Sequence, residues 1–527
     1  MAPKSEKATS DILIVGAGAA GAAAAWRLAG QGFKVTCLEQ GGWVNPAASP
    51  SSSPEWEMLR QGPWHPNPNI RKGPADWPVD DRESDIEPLF FNGVGGSTIM
   101  WSCHFPRLHP GDFCTRTLDG CGDDWPIGYH DLEPYYDLNE RMMGVAGLAG
   151  NPAYPPMAAP RSPPVGLSPG ARRVAEAFNR LGWSWWPADL SIRTGTGDHV
   201  CNNCGPCELH CPRQAKGATD LSYWPAALSL GAELITGARV VDIETDGHQV
   251  VGVVYSDGTA RHRRTAPVVV LAANGIGTSR LLLHTGLANR SGLVGRRLML
   301  HPLARVTGIF GDPLDSHRGI AAGALVSHHF YETDKARGFR RGVKLQGLGS
   351  QGPALIALGA HGQHVAWGRG HHAEFRKTFG HIFGLSICSD DMPDPENRIV
   401  LCDNASDDDG VPVPRMIYRV PQEARAALDF GKSRAREALK EAGAISLVEM
   451  ETVRSAGFHL MGTARMGHDP ETSVVDGWGE AHDLKGLFIV DGSTFVTAAA
   501  VNPTNTIQAI ALRAADHLIR TRRARNT

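Results

Sequence analysis

The sequence predicts an α/β fold with a nucleotide-binding sheet, and two observations carry this prediction. A strand, a glycine-rich turn, a helix and a second strand follow one another within the first 40 residues. Three further strand patterns occur much later, within residues 238–275, and are expected to belong to the same sheet. With 527 residues the chain is long enough for two or more domains.

A glycine-rich turn with the spacing of a dinucleotide-binding fingerprint joins the first strand to the first helix. Asp11–Val15 is a buried-strand pattern, and an Ala-rich helix is expected over Ala22–Gly30. Gly16, Gly18 and Gly21 form the pattern G-x-G-x-x-G, in which glycines allow a tight turn and a close approach of backbone to a pyrophosphate. The N-terminus of the helix would then face the phosphates.

Glu39 follows the second strand, Lys34–Leu38, and lies about 20 residues after the turn, where an acidic side chain binds the ribose hydroxyls. The fingerprint leaves FAD and NAD both open. Val240 lies in the first of the later strands and is expected to contact the cofactor. The later strand patterns are Ala238–Glu244, Gly252–Tyr255 and Pro267–Gly275.

The composition is that of an ordinary globular protein, with 42% hydrophobic and 20% charged residues. The formal net charge of −3 gives no reason to expect a nucleic-acid partner or an anionic membrane surface. No apolar run approaches the roughly 18 residues that a membrane-spanning helix needs. Residues 1–10 are polar and lack the pattern of a secretory signal peptide, so the sequence predicts a cytoplasmic protein.

Four cysteines lie within eleven residues in the spacing C-x₂-C-x₂-C-x₃-C-P, which is the bacterial ferredoxin spacing for an iron–sulfur cluster. They are Cys201, Cys204, Cys207 and Cys211. A zinc knuckle normally pairs two short hooks across a longer insert, and these four cysteines are compressed into one loop. Disulfides or free thiols are the remaining alternatives. The chain has no second run of this kind, so either all four cysteines hold a [4Fe–4S] cluster or one is idle beside a [3Fe–4S] cluster.

Several longer motifs occur beyond the N-terminal turn. They are Val94–Thr98, Asp124–Tyr136, Val294–Pro302, His459–Thr463, Asp491–Ser493 and Asn502-Pro503. On these motifs the chain resembles the glucose–methanol–choline (GMC) oxidoreductases over nearly its whole length. Within that family it looks most like bacterial FAD-dependent glucose dehydrogenase catalytic subunits and their pyranose-oxidising relatives. Those glucose dehydrogenases carry a cysteine-ligated iron–sulfur cluster in the same region, although their first two cysteines are placed differently.

The resemblance implies FAD rather than NAD. It also implies a Rossmann-like FAD-binding domain built from discontinuous segments and a substrate domain with a mainly antiparallel sheet. Gly95, Gly96 and Ser97 would lie along the flavin and the pyrophosphate. Asp491 and Gly492 would meet the pyrophosphate and the ribityl chain. The implied boundaries are 10–48, 85–104, 213–312 and 452–527 for the FAD-binding domain, 105–212 for a connecting region with the cysteine-rich loop, and 313–451 for the substrate-binding domain.

The resemblance further implies a catalytic pair, His459 and Asn502. Oxidation of an alcohol needs a base within hydrogen-bond reach of the hydroxyl group, while hydride leaves for the flavin. His459 would be that base, and Asn502 would orient the hydroxyl and stabilise developing alkoxide character. His301, between Leu300 and Pro302, is interpreted as a structural residue.

FAD is expected to be held non-covalently. Some pyranose oxidases attach it through a histidine in the stretch after the Gly-Gly pair, and alignment on Gly95-Gly96 puts Met100 at that position. The thioether of Met100 is not the expected nucleophile for this attachment. His104 is the histidine nearest to Met100 in the sequence.

The sequence thus predicts an FAD-dependent dehydrogenase of a sugar, polyol or glycoside that passes electrons through an iron–sulfur cluster to another protein. The alternatives are an oxygen-using alcohol or pyranose oxidase, a dehydrogenase of aromatic or apolar alcohols and, more remotely, a flavin-dependent lyase or photodecarboxylase of the same fold. Relatives of the glucose dehydrogenase type work with a small subunit and a cytochrome, which implies such partners here. Export together with a partner would make the protein periplasmic, which is the alternative to the cytoplasm.

Overall fold

The structure is a computed structural model, and it describes residues 9–45, 49–158, 161–320, 323–349, 351–359, 365 and 367–526. The strands in these residues are β1 Ile12–Val15, β2 Val35–Glu39, β3 Asp80–Ser84, β4 Trp186–Pro187, β5 Glu233–Thr236, β6 Arg239–Thr245, β7 Val250–Ser256, β8 Arg261–Thr265, β9 Val269–Leu271, β10 Leu303–Ile309, β11 Leu325–Ser327, β12 Val343–Leu348, β13 Ile382–Ser389, β14 Arg398–Ser406, β15 Pro412–Tyr418, β16 Ser446–Met450 and β17 Leu487–Ile489. The helices are α1 Ala19–Ala29, α2 Trp56–Leu59, α3 Pro68–Arg71, α4 Thr115–Asp119, α5 Tyr129–Met143, α6 Pro169–Leu181, α7 Tyr223–Ser229, α8 Asn274–Thr285, α9 Pro353–Ala357, α10 His371–Thr378, α11 Gln422–Glu441 and α12 Thr504–Asn526.

Five parallel strands form one sheet, in the order β17-β9-β1-β2-β5. The predicted strand–turn–helix–strand unit lies at its centre, with Ile12 beside Val35 and Val15 beside Leu38. The helix α1 begins at Ala19 rather than at the predicted Ala22. Its buried alanines let α1 pack closely between this sheet and α12. Because all five strands are parallel, their carboxyl ends meet at one edge of the sheet, where open α/β sheets bind ligands.

The prediction that all later strand patterns join this sheet is wrong for two of the three. β6 and β7 pair with each other and with β8 in a separate three-stranded antiparallel sheet, and only β9 joins the parallel one. Every residue of β9 is buried, whereas β6 and β8 are partly exposed. A strand inside a parallel sheet is covered on both faces, and only β9 has that burial.

The second large sheet is antiparallel and has six strands, in the order β16-β10-β13-β12-β11-β4. Helices α6 and α11 pack on it over an apolar core that includes Phe178, Phe383 and Leu439. The sheet takes β10 from the segment 213–312, which was predicted to be nucleotide-binding, and β4 from the connecting segment 105–212. An alternating strand pattern does not specify which sheet it joins, so the domain boundaries remain predictions. The fold class, with parallel and antiparallel sheets in one α/β chain, is confirmed.

Three more strands, in the order β14-β15-β3, form a small sheet. Within the residues that the structure describes, no helix has both the length and the apolar character needed to cross a membrane.

Candidate active site

A deep cleft runs along the carboxyl edge of the parallel sheet. It has an empty volume of about 1390 Å³, and its walls come from the turn after β1, the end of β2 and the loops after β9 and β17. The predicted cofactor residues that line it are Gly16, Gly18, Glu39, Gly96, Ser97, Val240, Asp491 and Gly492. His459 lies in the wall of the same cleft. The structure therefore brings the predicted base and most of the predicted cofactor residues to one cavity.

Two glycine-rich turns meet at the floor of this cleft. A Cβ atom added to Gly96 would lie 2.7 Å from the Cα atom of Gly18, and one added to Gly16 would lie 2.6 Å from the carbonyl oxygen of Ala272. Gly96 and Gly16 also have positive φ angles of 52° and 101°, which glycine adopts without strain. Only backbone therefore fills this floor, and the N-terminus of α1 beside it fits the pyrophosphate of a dinucleotide.

Gly21 and Gly95 do not line the cleft, and both act by close packing instead. A Cβ atom on Gly21 would lie 2.0 Å from the carbonyl oxygen of Gly16, so Gly21 allows α1 to approach β1. A Cβ atom on Gly95 would lie 2.8 Å from the side chain of Ile99. The amide of Gly95 donates to the carbonyl oxygen of Ala17 over 3.0 Å, which joins the two glycine-rich turns.

Two buried carboxylates organise the cleft walls. Glu39 accepts hydrogen bonds from the backbone amides of Ala17 and Gly41 at 2.8 and 2.9 Å. Asp491 accepts from the hydroxyl of Thr278 at 2.5 Å and from the amide of Ser493 at 2.9 Å. Burial raises the pKa of both carboxyls above their usual range, and the donated hydrogen bonds oppose that rise. Each carboxylate thus fixes a cleft loop in addition to any contact with ribose or ribityl hydroxyls.

Met100, the residue aligned with the position of covalent attachment, does not line the cleft. It is buried in a small apolar cluster with Val44 and Ile99. His104 is also buried, and it lines a different, smaller cavity together with Lys344. Non-covalent binding of FAD stays a prediction.

His459 and Asn502 lie side by side. Nδ2 of Asn502 is 3.3 Å from Nε2 of His459, and both side chains are partly buried. His459 and Leu460 are neighbours in a segment that lines the cleft. Asn502 lies in the irregular segment just before Pro503 and α12. A hydroxyl group placed between the two side chains would donate to one and accept from the other, which is the arrangement that alcohol activation needs.

His301 fixes the proton on the ring of His459. Nε2 of His301 is 3.0 Å from the carbonyl oxygen of Ala498, which only accepts, so this nitrogen carries the proton. Burial lowers the pKa of His301 to about 4, so the ring is neutral at pH 7 and its Nδ1 is an acceptor. Nδ1 of His459 lies 2.8 Å from it and must therefore be the donor. Nε2 of His459 is then unprotonated, as a general base requires, and it accepts from Nδ2 of Asn502 at 3.3 Å.

His459 is held neutral as well as oriented. Burial is the main cause that lowers its pKa well below the usual value, and the nearby side chains of His301, Lys344 and His104 lower it further. The base is thus available for a proton at neutral pH.

Lys344 orients Asn502. Nζ of Lys344, a buried side chain on β12, donates to Oδ1 of Asn502 at 2.5 Å. This turns the amide so that its Nδ2 donor faces His459. Burial lowers the pKa of Lys344 to about 8, so its ammonium group is present at neutral pH and is lost in mildly alkaline solution. A cation beside the reacting hydroxyl would also stabilise an alkoxide.

Strained backbone surrounds the histidine pair. His301 and Ala499 have positive φ angles of 55° and 63°, which residues other than glycine rarely adopt. The buried carboxylate of Asp391 holds this turn, because it accepts from the amides of Leu300 and His301 at 2.6 and 3.2 Å. The hydroxyl of Tyr418 donates to the same carboxylate at 2.9 Å.

Two residues of the site, His301 and Lys344, have no sequence pattern that predicts a functional role. His301 was interpreted as structural, although it contacts His459 across 158 residues of sequence. Lys344 lies in an ordinary strand pattern, and only the antiparallel sheet brings it to Asn502. The one signal available in the sequence was a lysine between two apolar residues, Val343 and Leu345, because burial of an ammonium group is costly unless it has a partner.

The four cysteines of the run line one small cavity with an empty volume of about 380 Å³. Cys103 and Lys216 line it too. The ammonium of Lys216 donates to the carbonyl oxygens of Ile99 and Cys207 at 2.6 and 2.8 Å and so ties the cysteine loop to the segment that follows Ser97. Burial raises the pKa of Cys207 to about 12 and also raises the pKa of Cys201 and Cys204.

All ten cysteines belong to the described residues, and none forms a disulfide. Among these residues, no group of three or more His, Cys, Asp or Glu side chains converges as it would around a metal ion.

Comparison with known proteins identifies related sequences and folds. Models of the GMC oxidoreductases match residues 10–303 and 393–511. A 2-methyl-1,2-propanediol dehydrogenase from Mycolicibacterium austroafricanum is 39% identical over 97% of this chain and 95% of that protein. The fructose dehydrogenase large subunit of Gluconobacter japonicus is 30% identical over 98% of both chains. The crystal structure of pyridoxine 4-oxidase from Mesorbium loti has the same fold, with a TM-score of 0.64 and 18% identity over 97% of this chain and 99% of that one.

The pKa of Lys344 predicts an alkaline limit to catalysis. As the pH rises through about 8, Lys344 loses its proton and the charged donor to Asn502 disappears, so kcat for alcohol oxidation should fall. Lys344→Gln should lower kcat at pH 7 by about 10- to 100-fold, as expected for loss of a charged hydrogen bond, and should remove the alkaline decline. Lys432→Gln, at a lysine on α11 that pairs with Glu451, is the matched control and should keep it. An unchanged alkaline limb in Lys344→Gln would contradict this role.

Proposed function

The chain belongs to the GMC oxidoreductase family, and we propose that it is an FAD-dependent dehydrogenase that oxidises a primary or secondary alcohol of a small polyol, sugar or glycoside. The observation that carries this proposal is the unprotonated Nε2 of His459 in the cleft wall, 3.3 Å from the amide nitrogen of Asn502. The 39% identity to a protein named 2-methyl-1,2-propanediol dehydrogenase supports a small vicinal diol within this class.

The protein groups activate the alcohol by position and charge. The substrate hydroxyl would donate to Nε2 of His459 and accept from the amide of Asn502, so that the proton moves to the histidine as the carbon loses hydride. Lys344 would stabilise the alkoxide through its charge and through the orientation of Asn502. Bound FAD would supply the hydride acceptor. The hydrogen bond from His459 to His301 keeps the base oriented throughout, since His301 in turn donates to Ala498.

The cleft walls fit FAD. Gly16, Gly18 and Gly96 would leave room for a pyrophosphate against backbone, and Glu39, at the end of β2, would bind the ribose hydroxyls. Ser97, Val240, Asp491 and Gly492 complete the predicted cofactor contacts. We propose that FAD is held there without a covalent bond and that the implied division into FAD-binding, connecting and substrate-binding segments applies.

We further propose that Cys201, Cys204, Cys207 and Cys211 hold a [3Fe–4S] or [4Fe–4S] cluster, which would supply one-electron transfer to an external acceptor. Their shared cavity supports this, as does the amide of Asn203, which donates to Sγ of Cys201 at 3.4 Å. The lack of convergence on a single ion within the described residues is compatible with it, because a cluster spaces its thiolates more widely than one ion does.

The partners follow from the same chemistry. An enzyme that passes electrons singly needs an acceptor protein such as a cytochrome, and the relative named as a large subunit supports a small subunit as well. We also propose that, within the family, the chain is most similar to glucose dehydrogenase subunits. Its proposed location is the cytoplasm, or the periplasm if it is exported with a partner.

Turnover with two kinds of acceptor tests the proposed dehydrogenase. With 2-methyl-1,2-propanediol, fructose and 1-butanol as substrates, the purified holoenzyme should reduce an artificial dye with the diol or the sugar. Hydrogen peroxide should form at less than about a tenth of the dye rate. His459→Ala should lose about 10²–10⁴-fold in dye reduction, the range for removal of a general base. Rapid peroxide formation without a preference for the dye would identify an oxidase instead, and full activity of His459→Ala would contradict the assigned base.

Iron analysis tests the cluster separately. Anaerobically purified protein should contain about three to four iron atoms per chain with matching acid-labile sulfide, and electron paramagnetic resonance should distinguish the two cluster types. Cys207→Ser should lower the iron content, whereas Cys114→Ser, at an exposed cysteine outside the run, should not. Zinc in place of iron, or equal metal content in both variants, would contradict the proposed cluster.

A further inference from the structure

The hairpin formed by β14 and β15 reaches the cofactor cleft with its tip, residues 407–411. The tip is the turn between two strands of the small third sheet, and the amide of Asp407 closes it by donating to the carbonyl oxygen of Val411 at 2.9 Å. Val411 lines the cleft. The hairpin belongs to the segment 313–451, which was predicted to bind substrate, so its contact with the cofactor cleft is not expected from the sequence.

A buried arginine on α8 fastens the hairpin tip. Arg280 lines the cleft, and its Nη2 donates to the carboxylate of Asp407 and to the carbonyl oxygen of Val411, each at 2.8 Å. Its Nε donates to the carbonyl oxygen of Pro412 at 2.8 Å. The side chains of Arg280 and Asp407 are only 6% and 3% exposed. Charge-assisted hydrogen bonds are strong and directional, so this guanidinium group fixes the tip against α8.

A second arginine, Arg239 on β6, fastens the tip from another side. It lines the cleft, and its Nη1 donates to the carboxylates of Asp409 and Asp407 at 3.1 and 3.4 Å. Its Nη2 donates to the carbonyl oxygen of Ala75 at 3.2 Å. The Nε atom of Arg239 is buried and makes no hydrogen bond to any described residue. Buried donors are normally satisfied, so this one is available to a molecule bound in the cleft.

The hairpin tip lies beside the predicted ribose site. The amide of Ala238 donates to the carbonyl oxygen of Glu39 at 2.9 Å, which places the start of β6 next to the carboxylate that is expected to bind the ribose hydroxyls. Arg239 is the next residue along the chain, and it contacts the tip. The tip therefore belongs to the end of the cleft where the adenosine half of a dinucleotide is expected.

The wall at this end suits an uncharged aromatic group. The charges of Arg239 and Arg280 are balanced by those of Asp407 and Asp409. Trp77 also lines the cleft, and the guanidinium carbon of Arg280 lies 4.7 Å from the centroid of its ring. Purine bases stack on aromatic rings and on guanidinium groups. A wall with balanced charge and such surfaces fits adenine better than it fits a phosphate group.

We propose that the hairpin tip is a latch for FAD, which closes the adenosine end of the cleft and is held shut by the contacts of Asp407 with Arg280 and Arg239. FAD would leave only when these contacts break. This inference rests on the proposed function, because it takes FAD as the occupant of the cleft. It names the contacts that would retain a cofactor bound without a covalent bond.

The rate of FAD release tests the latch. Asp407→Asn keeps the size of the side chain and removes the charge that two arginines share. After dilution of the holoenzyme, the rise in flavin fluorescence should be about 10- to 100-fold faster than in the wild type, as expected for loss of a charged hydrogen bond. Asp408→Asn, at an exposed neighbour in the same tip, is the matched control and should release FAD at the wild-type rate.

A second variant keeps the test valid if Asp407→Asn fails to fold. Arg280→Lys retains the positive charge but cannot reach all three acceptors, so it should also release FAD faster than the wild type. Release at the wild-type rate in the folded variants of Asp407 and Arg280 would overturn the latch.

A comparison of two flavins shows whether the latch acts on adenosine. FMN lacks the adenosine half, so Asp407→Asn should raise the Kd of the flavin-depleted full-length protein for FAD and leave its Kd for FMN unchanged. Equal weakening of both flavins would show a general loosening of the cleft and would overturn the latch. Normal dye reduction in variants that keep FAD would overturn the latch alone. Faster release of FAD from an enzyme whose flavin no tested alcohol reduces would overturn the proposed function alone.

Discussion

The hydrogen bond between the Nδ1 atoms of His301 and His459, at 2.8 Å, is the interaction on which the chemistry of the site depends. Two ring nitrogens that meet in this way force a division of roles, since one must donate and the other accept. The carbonyl oxygen of Ala498 decides which ring does which, because it takes the proton of His301 on the far side. The consequence appears at the opposite end of the pair, where Nε2 of His459 is an acceptor beside the amide of Asn502. One backbone carbonyl thereby sets the protonation state of a side chain that it does not touch.

Burial makes this arrangement hold at neutral pH. Both histidines have lowered pKa values chiefly because a charged ring would be poorly solvated there, so neither takes a proton from solvent that would end the donor–acceptor relation. The arrangement requires backbone strain and a buried charge. His301 has a positive φ angle, and the buried carboxylate of Asp391 holds the turn that contains His301. Lys344 lies on a strand of the antiparallel sheet and turns the amide of Asn502 toward His459. The site thus takes residues from both sheets.

The sequence predicted those parts of the site that are local. Gly16 and Gly18 lie in the turn between a strand and a helix as expected, Gly21 lies in the first turn of that helix, and Glu39 ends the next strand at the cleft, because these features depend on a few adjacent residues. Sheet membership was predicted less well: β6 and β7 form their own antiparallel sheet, and β10 joins the six-stranded one. Strand patterns report burial of alternate residues and contain no information about the partner strand. His301 and Lys344 escaped notice for a related reason, since their partners are each 158 residues away in the chain.

Anaerobic single-turnover reduction of the bound flavin by an alcohol, followed in two variants of His301, tests this account most directly. His301→Asn places a carbonyl oxygen near the position of Nδ1 and should keep the acceptor for His459, so flavin reduction should remain within about 10-fold of the wild-type rate. His301→Leu removes the acceptor and frees the ring of His459, and the rate should fall about 100-fold, as expected for a misplaced catalytic group, while dithionite reduces the flavin normally. Equal rates in the two variants, with the pH dependence of the wild type, would contradict the claim that His301 fixes the base.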